Sequence, residues 1–219
     1  MKHVILGLLL FAGPVAADPL QGAQVLFLGE VHDNPAHHAR QAEIVAEVQP
    51  RAIVWEMLEP DAVPPVTPEL IGDEAALGAA LNWADSGWPD FSMYYPIFAA
   101  APGAAHFGAQ LPRGAARAAM SQDLAEAFGD GAALFGLDRP LPEEQQERRE
   151  ALQMAAHCDA LPAEMLPMMV NIQRLRDARL AMAALEALEA TGGPVAVITG
   201  NGHARKDWGA PALLTLAAP

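Results

Sequence analysis

Apolar residues gather in four short runs along the chain, at 24–28, 52–55, 104–108 and 195–199, each bounded by turn residues or a polar stop. Runs of this length predict strands buried on both faces, as in a parallel sheet covered by helices. Between them the spacing becomes helical. Asn34 before Pro35 predicts a helix start, with Asn as cap and proline at the first helical position, running to about Val48 before Pro50 stops it. Further helices are expected over 75–83 and 113–128, the second closed by Gly129-Asp130-Gly131. From 142 to 190 the pattern is helical throughout. It begins with a charged, exposed stretch at 143–150 and continues as a long helix over roughly 163–190, ending at Gly192-Gly193. This order predicts an α/β fold: a mostly parallel central sheet flanked by helices, with residues 113–190 or so forming a helical cap subdomain.

The first 17 residues change the picture. Lys2, a short apolar run at 4–11 and Val15-Ala16-Ala17 have the charge, length and small-residue ending of a cleaved secretory signal. The run is too short to span a bilayer as a helix. The expectation is a mature chain starting at Asp18, a single domain over 18–219, exported and soluble in the periplasm. A single cysteine, Cys158, rules out an internal disulfide framework and leaves burial to hold the fold. Apolar residues make up 52% of the chain, enough for a sizeable core. The formal net charge of −14 excludes nucleic acid as a partner, since phosphates need a basic footprint.

Candidate chemistry collects where the strands end. The first run leads to Gly29-Glu30-Val31-His32, the second into Glu56, the third to Gln110-Leu111-Pro112-Arg113, and the fourth to Gly200-Asn201-Gly202-His203-Ala204-Arg205. Ligands in open parallel sheets bind outside the carboxyl ends of the strands. Four segments therefore deliver Glu30, His32, Glu56, Arg113, Asn201 and His203 to one rim. Glu56 closes a buried strand, where a lone carboxylate is costly, so it requires a partner. On the long helix, Gln173, Arg176 and Asp177 are spaced to share a face beside Met165, Met168 and Met169. Trp83, Trp88, Phe91, Tyr94, Tyr95 and Phe98 form an aromatic segment that serves equally as core or as a ligand wall.

The residues follow one family's order: Leu28-Gly29-Glu30-Val31-His32, Trp55-Glu56-Met57, Gly87-Trp88-Pro89, Tyr94-Tyr95-Pro96-Ile97, Leu111-Pro112-Arg113, His157, Gln173 with Arg176-Asp177, and Gly200-Asn201-Gly202-His203-Ala204-Arg205. The chain resembles the ChaN-like haem-binding proteins of Gram-negative bacteria, in the superfamily that also holds Tiki, TraB and erythromycin esterase. The resemblance implies an α/β fold with a helical subdomain, haem or iron acquisition at the cell envelope, haem held at a homodimer interface, and a tyrosine among the iron contacts. On that basis Tyr94, or else Tyr95, is expected to contact iron. His157 is the candidate for the opposite face, Arg113 and Arg205 for the propionates, and an outer-membrane or periplasmic haem-uptake system for the partner. Many ChaN-like proteins carry a lipid-anchoring cysteine, which this chain lacks at its cleavage point. The superfamily also implies an alternative from another class, a hydrolase in which Glu30, His32, Glu56 and His203 hold a divalent metal or act as acid and base. No Ser or Cys nucleophile elbow lies near these residues, so covalent acyl chemistry is unsupported.

Overall fold

The computed structural model describes residues 20, 22–60, 63, 66–119 and 122–218; the expected signal segment and its cleavage point lie outside them. Four strands form the sheet: β1 (Val25–Glu30), β2 (Ala52–Trp55), β3 (Ala105–Gly108) and β4 (Val195–Gly200). Their order is β1-β4-β2-β3 and every pairing is parallel, so the first and last strands of the chain lie side by side. Strand β4 is buried at every position, as an internal strand with both faces covered must be.

Alternation along the two central strands divides the interior into two cores. Ile53 and Trp55 of β2 and Ala196 and Ile198 of β4 face one side, against Val45 of helix α1 (Pro35–Val48) and Tyr94, Ile97 and Phe98 of α4 (Phe91–Ala100). Ala52, Val54, Val195 and Val197 face the other, against Leu175, Ala178, Ala181, Ala184 and Ala187 of the long helix α8 (Leu166–Thr191). Small residues spaced along α8 allow it to lie close against the sheet. The largest single anchor is Trp55, fully buried and stacked on Phe98 with ring centroids 3.9 Å apart.

Between these layers run α2 (Pro68–Ile71), α3 (Glu74–Ala80), α5 (Arg113–Ala118), α6 (Leu124–Phe128), α7 (Glu143–Ala156) and the terminal α9 (Ala210–Ala217). Most of α8 lies on the sheet face rather than in a separate cap; α7 packs on α8, and its end together with the first half of α8 forms the helical wall, here called the cap, beside the carboxyl edge of the sheet. No helix among the described residues is long and apolar enough to cross a membrane.

The differences from the sequence reading have local causes. The helix expected over 113–128 is two pieces, because Asp123 caps a fresh start by accepting from the Ala125 amide. The aromatic segment, given no regular structure by pattern, is helix α4, capped by Asp90. The charged stretch 143–150 is not wholly exposed. Arg149 turns inward, is 7% exposed, and donates to the Trp208 carbonyl at 3.1 Å. Helix α9 follows the final motif, where no element was expected.

Candidate functional site

Two carboxylates are carried to the rim as strand endings. Glu30 is the last residue of β1, and Glu56 follows β2, so both project at the carboxyl edge. The Glu30 side chain is fully buried. Its Oε1 accepts from His32 Nδ1 at 2.8 Å and from the Tyr94 hydroxyl at 3.0 Å, and Oε2 lies 3.2 Å from His38 Nδ1. His38 is held from behind, because its Nε2 donates to the His32 carbonyl at 2.8 Å. Burial works against the charged form of His32, but its hydrogen bond to Glu30 and the charges of Glu56 and Glu30 prevail and raise its pKa above the ordinary value.

Glu56 is held by backbone and hydroxyl. The Thr199 hydroxyl donates to Oε2 at 2.6 Å and the Gly200 amide at 2.7 Å. Burial alone would raise its carboxyl; the charge of His203 and these two donors outweigh burial and hold it below the usual carboxylate range. A Cβ at position 200 would crowd the His32 ring, standing 3.1 Å from its Nε2, and would touch Glu56 Oε2 at 3.7 Å, so a larger residue there would need the ring to shift.

His203 links the last motif to the cap. Its Nδ1 bonds Asp177 Oδ1 of α8 at 2.6 Å, and its Nε2 faces Glu56 Oε1 at 3.6 Å. Burial opposes protonation of His203, yet the hydrogen bond and charge of Asp177 and the charge of Glu56 raise its pKa. Burial also raises Asp177, whose second oxygen is 3.9 Å from Arg149 Nη1.

These groups open into a cavity of about 490 Å³ between the sheet edge and the cap, within the range of small-molecule sites. The structure brings Glu30, His32, Glu56, Arg113 and His203 into it together, with Gln173 and Arg176 from α8, His157 from the end of α7, and Asn201. Trp88, Leu111, Ala116 and Leu180 supply apolar wall, and Trp88 meets the His32 ring edge-on at 4.8 Å between centroids. Asp177 lies behind His203 and lines an adjoining groove of about 300 Å³, as does Arg205. Arg205 grips Asp207 through two bonds of 2.9 and 2.6 Å and lies 4.0 Å over the Trp208 ring. The methionines of α8 line neither space.

The tyrosines are placed differently from the sequence expectation. Tyr94 is fully buried between the rings of His38 and Trp83 and gives its hydroxyl to Glu30. Burial and the adjacent Glu30 charge push that hydroxyl far above its ordinary pKa, which opposes the phenolate an iron contact requires. Tyr95 donates to the Ile71 carbonyl at 2.9 Å. Neither lines the cavity. The spacing of Tyr94, Ile97 and Phe98 was the available signal, because three and four positions on is one face of a helix. His38, Arg149 and Thr199 were not picked out by sequence reasoning, and no local motif marks them. Replacing Tyr94 with Phe is expected to cost about 1.5–3 kcal/mol, the contribution of a hydrogen bond to a charged group, read as a lower urea midpoint at unchanged slope.

The divalent-metal expectation finds no support. Among the described residues no three His, Cys, Asp or Glu side chains are grouped as metal ligands. Glu30 and Glu56 are already committed to donors, and the Nδ1 atoms of His32 and His203 to carboxylates.

The molecule is an α/β protein whose parallel sheet carries carboxylate–histidine pairs at its carboxyl edge. A family model described as haem-binding uptake, Tiki superfamily, ChaN matches residues 16–214, and the chain belongs to that family. The fold is shared with a solved structure of cofacial haem binding to ChaN of Campylobacter jejuni, at TM-score 0.67 and 22% identity, covering 88% of this chain and 76% of that one. No curated protein matches the chain.

Proposed function

We propose that this protein binds haem in the cavity between sheet edge and cap and serves haem or iron acquisition in the periplasm, reached through cleavage of residues 1–17. The carrying observation is a pair of guanidiniums. Arg113 and Arg176 both line the cavity, and neither has an acidic hydrogen-bond partner among the described residues. In a chain of net charge −14, two guanidiniums that face one cavity without an acidic hydrogen-bond partner among the described residues call for an anionic ligand with carboxylates. Trp88, Leu111 and Leu180 offer the apolar contact a macrocycle requires, so the donor set fits haem. When bound, haem supplies an iron centre. The chain's own residues would seat the propionates on Arg113 and Arg176 and orient the ligand against Trp88. Arg205, closed onto Asp207, is left out of this set.

A homodimer and a haem-uptake partner complete the reading. Val31 at the rim and Leu152 on α7 beside the groove are 48% and 45% exposed, and they supply apolar contact for a second copy. Haemin titration of the mature protein is expected to give a saturable Soret shift. Arg113→Ala and Arg176→Ala should each weaken binding about tenfold, the equivalent of one charge-assisted hydrogen bond. Absence of a haem band, or unchanged affinity in the double variant, refutes this placement.

A second reading has one observation in its favour. The buried Asp177–His203 pair, with Glu56 on the far side of the ring, is suited to taking a proton from an attacking water and delivering it to the leaving alcohol or amine in an ester or amide hydrolysis. Hydrolysis by the haem-free protein that vanishes in His203→Ala would establish it.

A further inference from the structure

We propose that the groove enclosed by α7, α8, α9 and the loop at 135–142 is a second binding site, for a medium-chain alkyl carboxylate, with Arg149 and Arg174 taking the head group and Leu213 and Leu216 the tail. The groove holds about 200 Å³ and shares no lining residue with the cavity at the sheet edge.

Two arginines are buried on this wall without matching carboxylates. Arg149 of α7 and Arg174 of α8 are each 7% exposed. A buried guanidinium is ordinarily paired, because taking its charge out of water is costly. Arg174 forms no ion pair among the described residues. Its Nη2 donates to the Gly136 and Arg139 carbonyls at 2.9 and 2.8 Å. Arg149 donates to the Trp208 carbonyl and reaches the carboxylate of Asp177 only at 3.9 Å; its Nε is buried with no hydrogen-bond partner among the described residues. The two cations also repel each other. Burial, and after it the charge of Arg149, lowers the pKa of Arg174, and the attraction of Asp123 and Asp138 ranks behind that repulsion. Asp207 is on the same wall, but Arg205 grips both its oxygens, and it attracts Arg149 without bonding it. An anion between Arg149 and Arg174 would relieve the repulsion and meet the donors left over, and guanidinium suits carboxylate.

The rest of the wall selects for a tail. Leu137, Leu141, Leu213 and Leu216 line the groove, and Leu216 is 58% exposed. A small hydrated anion would leave this apolar surface in water, whereas an alkyl chain is held by burying it. The space is smaller than a drug-sized pocket, which suits a single unbranched chain and not a macrocycle.

Calorimetric titration of the haem-free mature chain with sodium octanoate tests the site, with octanol, acetate and inorganic phosphate as comparison probes. Octanoate is expected to bind at one site per chain with a negative heat-capacity change, and about tenfold or more tighter than each comparison probe. Arg174→Gln should weaken octanoate about tenfold. Because Arg174 also holds two carbonyls, Leu216→Glu is read beside it. That side chain is exposed, so the urea midpoint should stay at the wild-type value while octanoate binds about fivefold more weakly; should the glutamine variant not fold, Leu216→Glu decides alone. A chain carrying both Arg113→Ala and Arg176→Ala should bind octanoate as the wild type does. No octanoate binding, equal binding of any comparison probe, or wild-type affinity in a folded Arg174→Gln or in Leu216→Glu overturns the site. Octanoate binding lost with Arg113 and Arg176 places it in the sheet-edge cavity and overturns the site as well.

Discussion

Replacing Asp177 with alanine is expected to destabilise the fold by about 3–5 kcal/mol, the cost of removing one partner from a buried charged group. Asp177 is 3% exposed and is the common partner of two cationic groups. It bonds His203 Nδ1 at 2.6 Å and stands 3.9 Å from Arg149 Nη1. Arg149 is itself 7% exposed, and apart from Asp177 its guanidinium has the Trp208 carbonyl and the face of that ring. Without the carboxylate, buried His203 loses its acceptor and buried Arg149 loses its counter-charge. Asp177→Asn separates charge from hydrogen bonding. Its carbonyl oxygen still accepts from His203 Nδ1, so the loss should be roughly half as large. Urea denaturation at constant slope reads both. An alanine variant within 1 kcal/mol of wild type would show that the pair is not buried as described.

The second large effect is a loss of stability in mild acid, through His106. The Trp55 indole N–H donates to His106 Nδ1 at 2.9 Å, an arrangement that exists only while Nδ1 is unprotonated. Burial lowers the ring's pKa from 6.5 to about 4. Across that window the unfolded chain binds a proton that the folded chain does not. Stability is therefore complete above about pH 6.5 and falls as the pH drops toward 4. The shift corresponds to about 3 kcal/mol at full burial, and about 2 kcal/mol after allowance for the ring's partial contact with water. His32 and His203, whose values are raised, act in the opposite sense: their contribution is complete below 6.5 and is lost as the pH rises through their folded values. His106→Gln keeps an acceptor for the indole and removes the titration. Denaturation followed by tryptophan fluorescence at pH 7 and pH 4.5 should show a smaller difference for the variant; equal differences would count against the mechanism.

Much of the architecture was legible, for physical reasons. A strand covered on both faces leaves an uninterrupted apolar run, and a polar residue directly after it must stand at the sheet edge. That is why Glu30, Glu56 and His203 could be placed at one rim from sequence, and the structure brings them into one cavity. Strand order left no such trace, because pattern records burial and not neighbours. Tyr94 shows the same limit. Aromatic rings read alike as core or as ligand wall, and what decides is a bond to Glu30, 64 positions away. Arg149 was hidden in a charged stretch, since the carboxylate that draws it inward lies on another helix.

The position of β4 has a consequence for how the protein is made. The strand that β1 and β2 both pair with comes last in chain order among the described strands. Until residues 195–200 arrive, β1 has no strand to pair with among the described residues, and neither Glu56 nor the Glu30 carbonyl has its donor from the final motif. The closing contacts join segments about 170 residues apart, and such non-local pairings fold slowly because loop-closure entropy comes first. The sheet therefore cannot close before residues 195–200 are made, and a chain cut before residue 195 lacks the centre of the sheet rather than its edge.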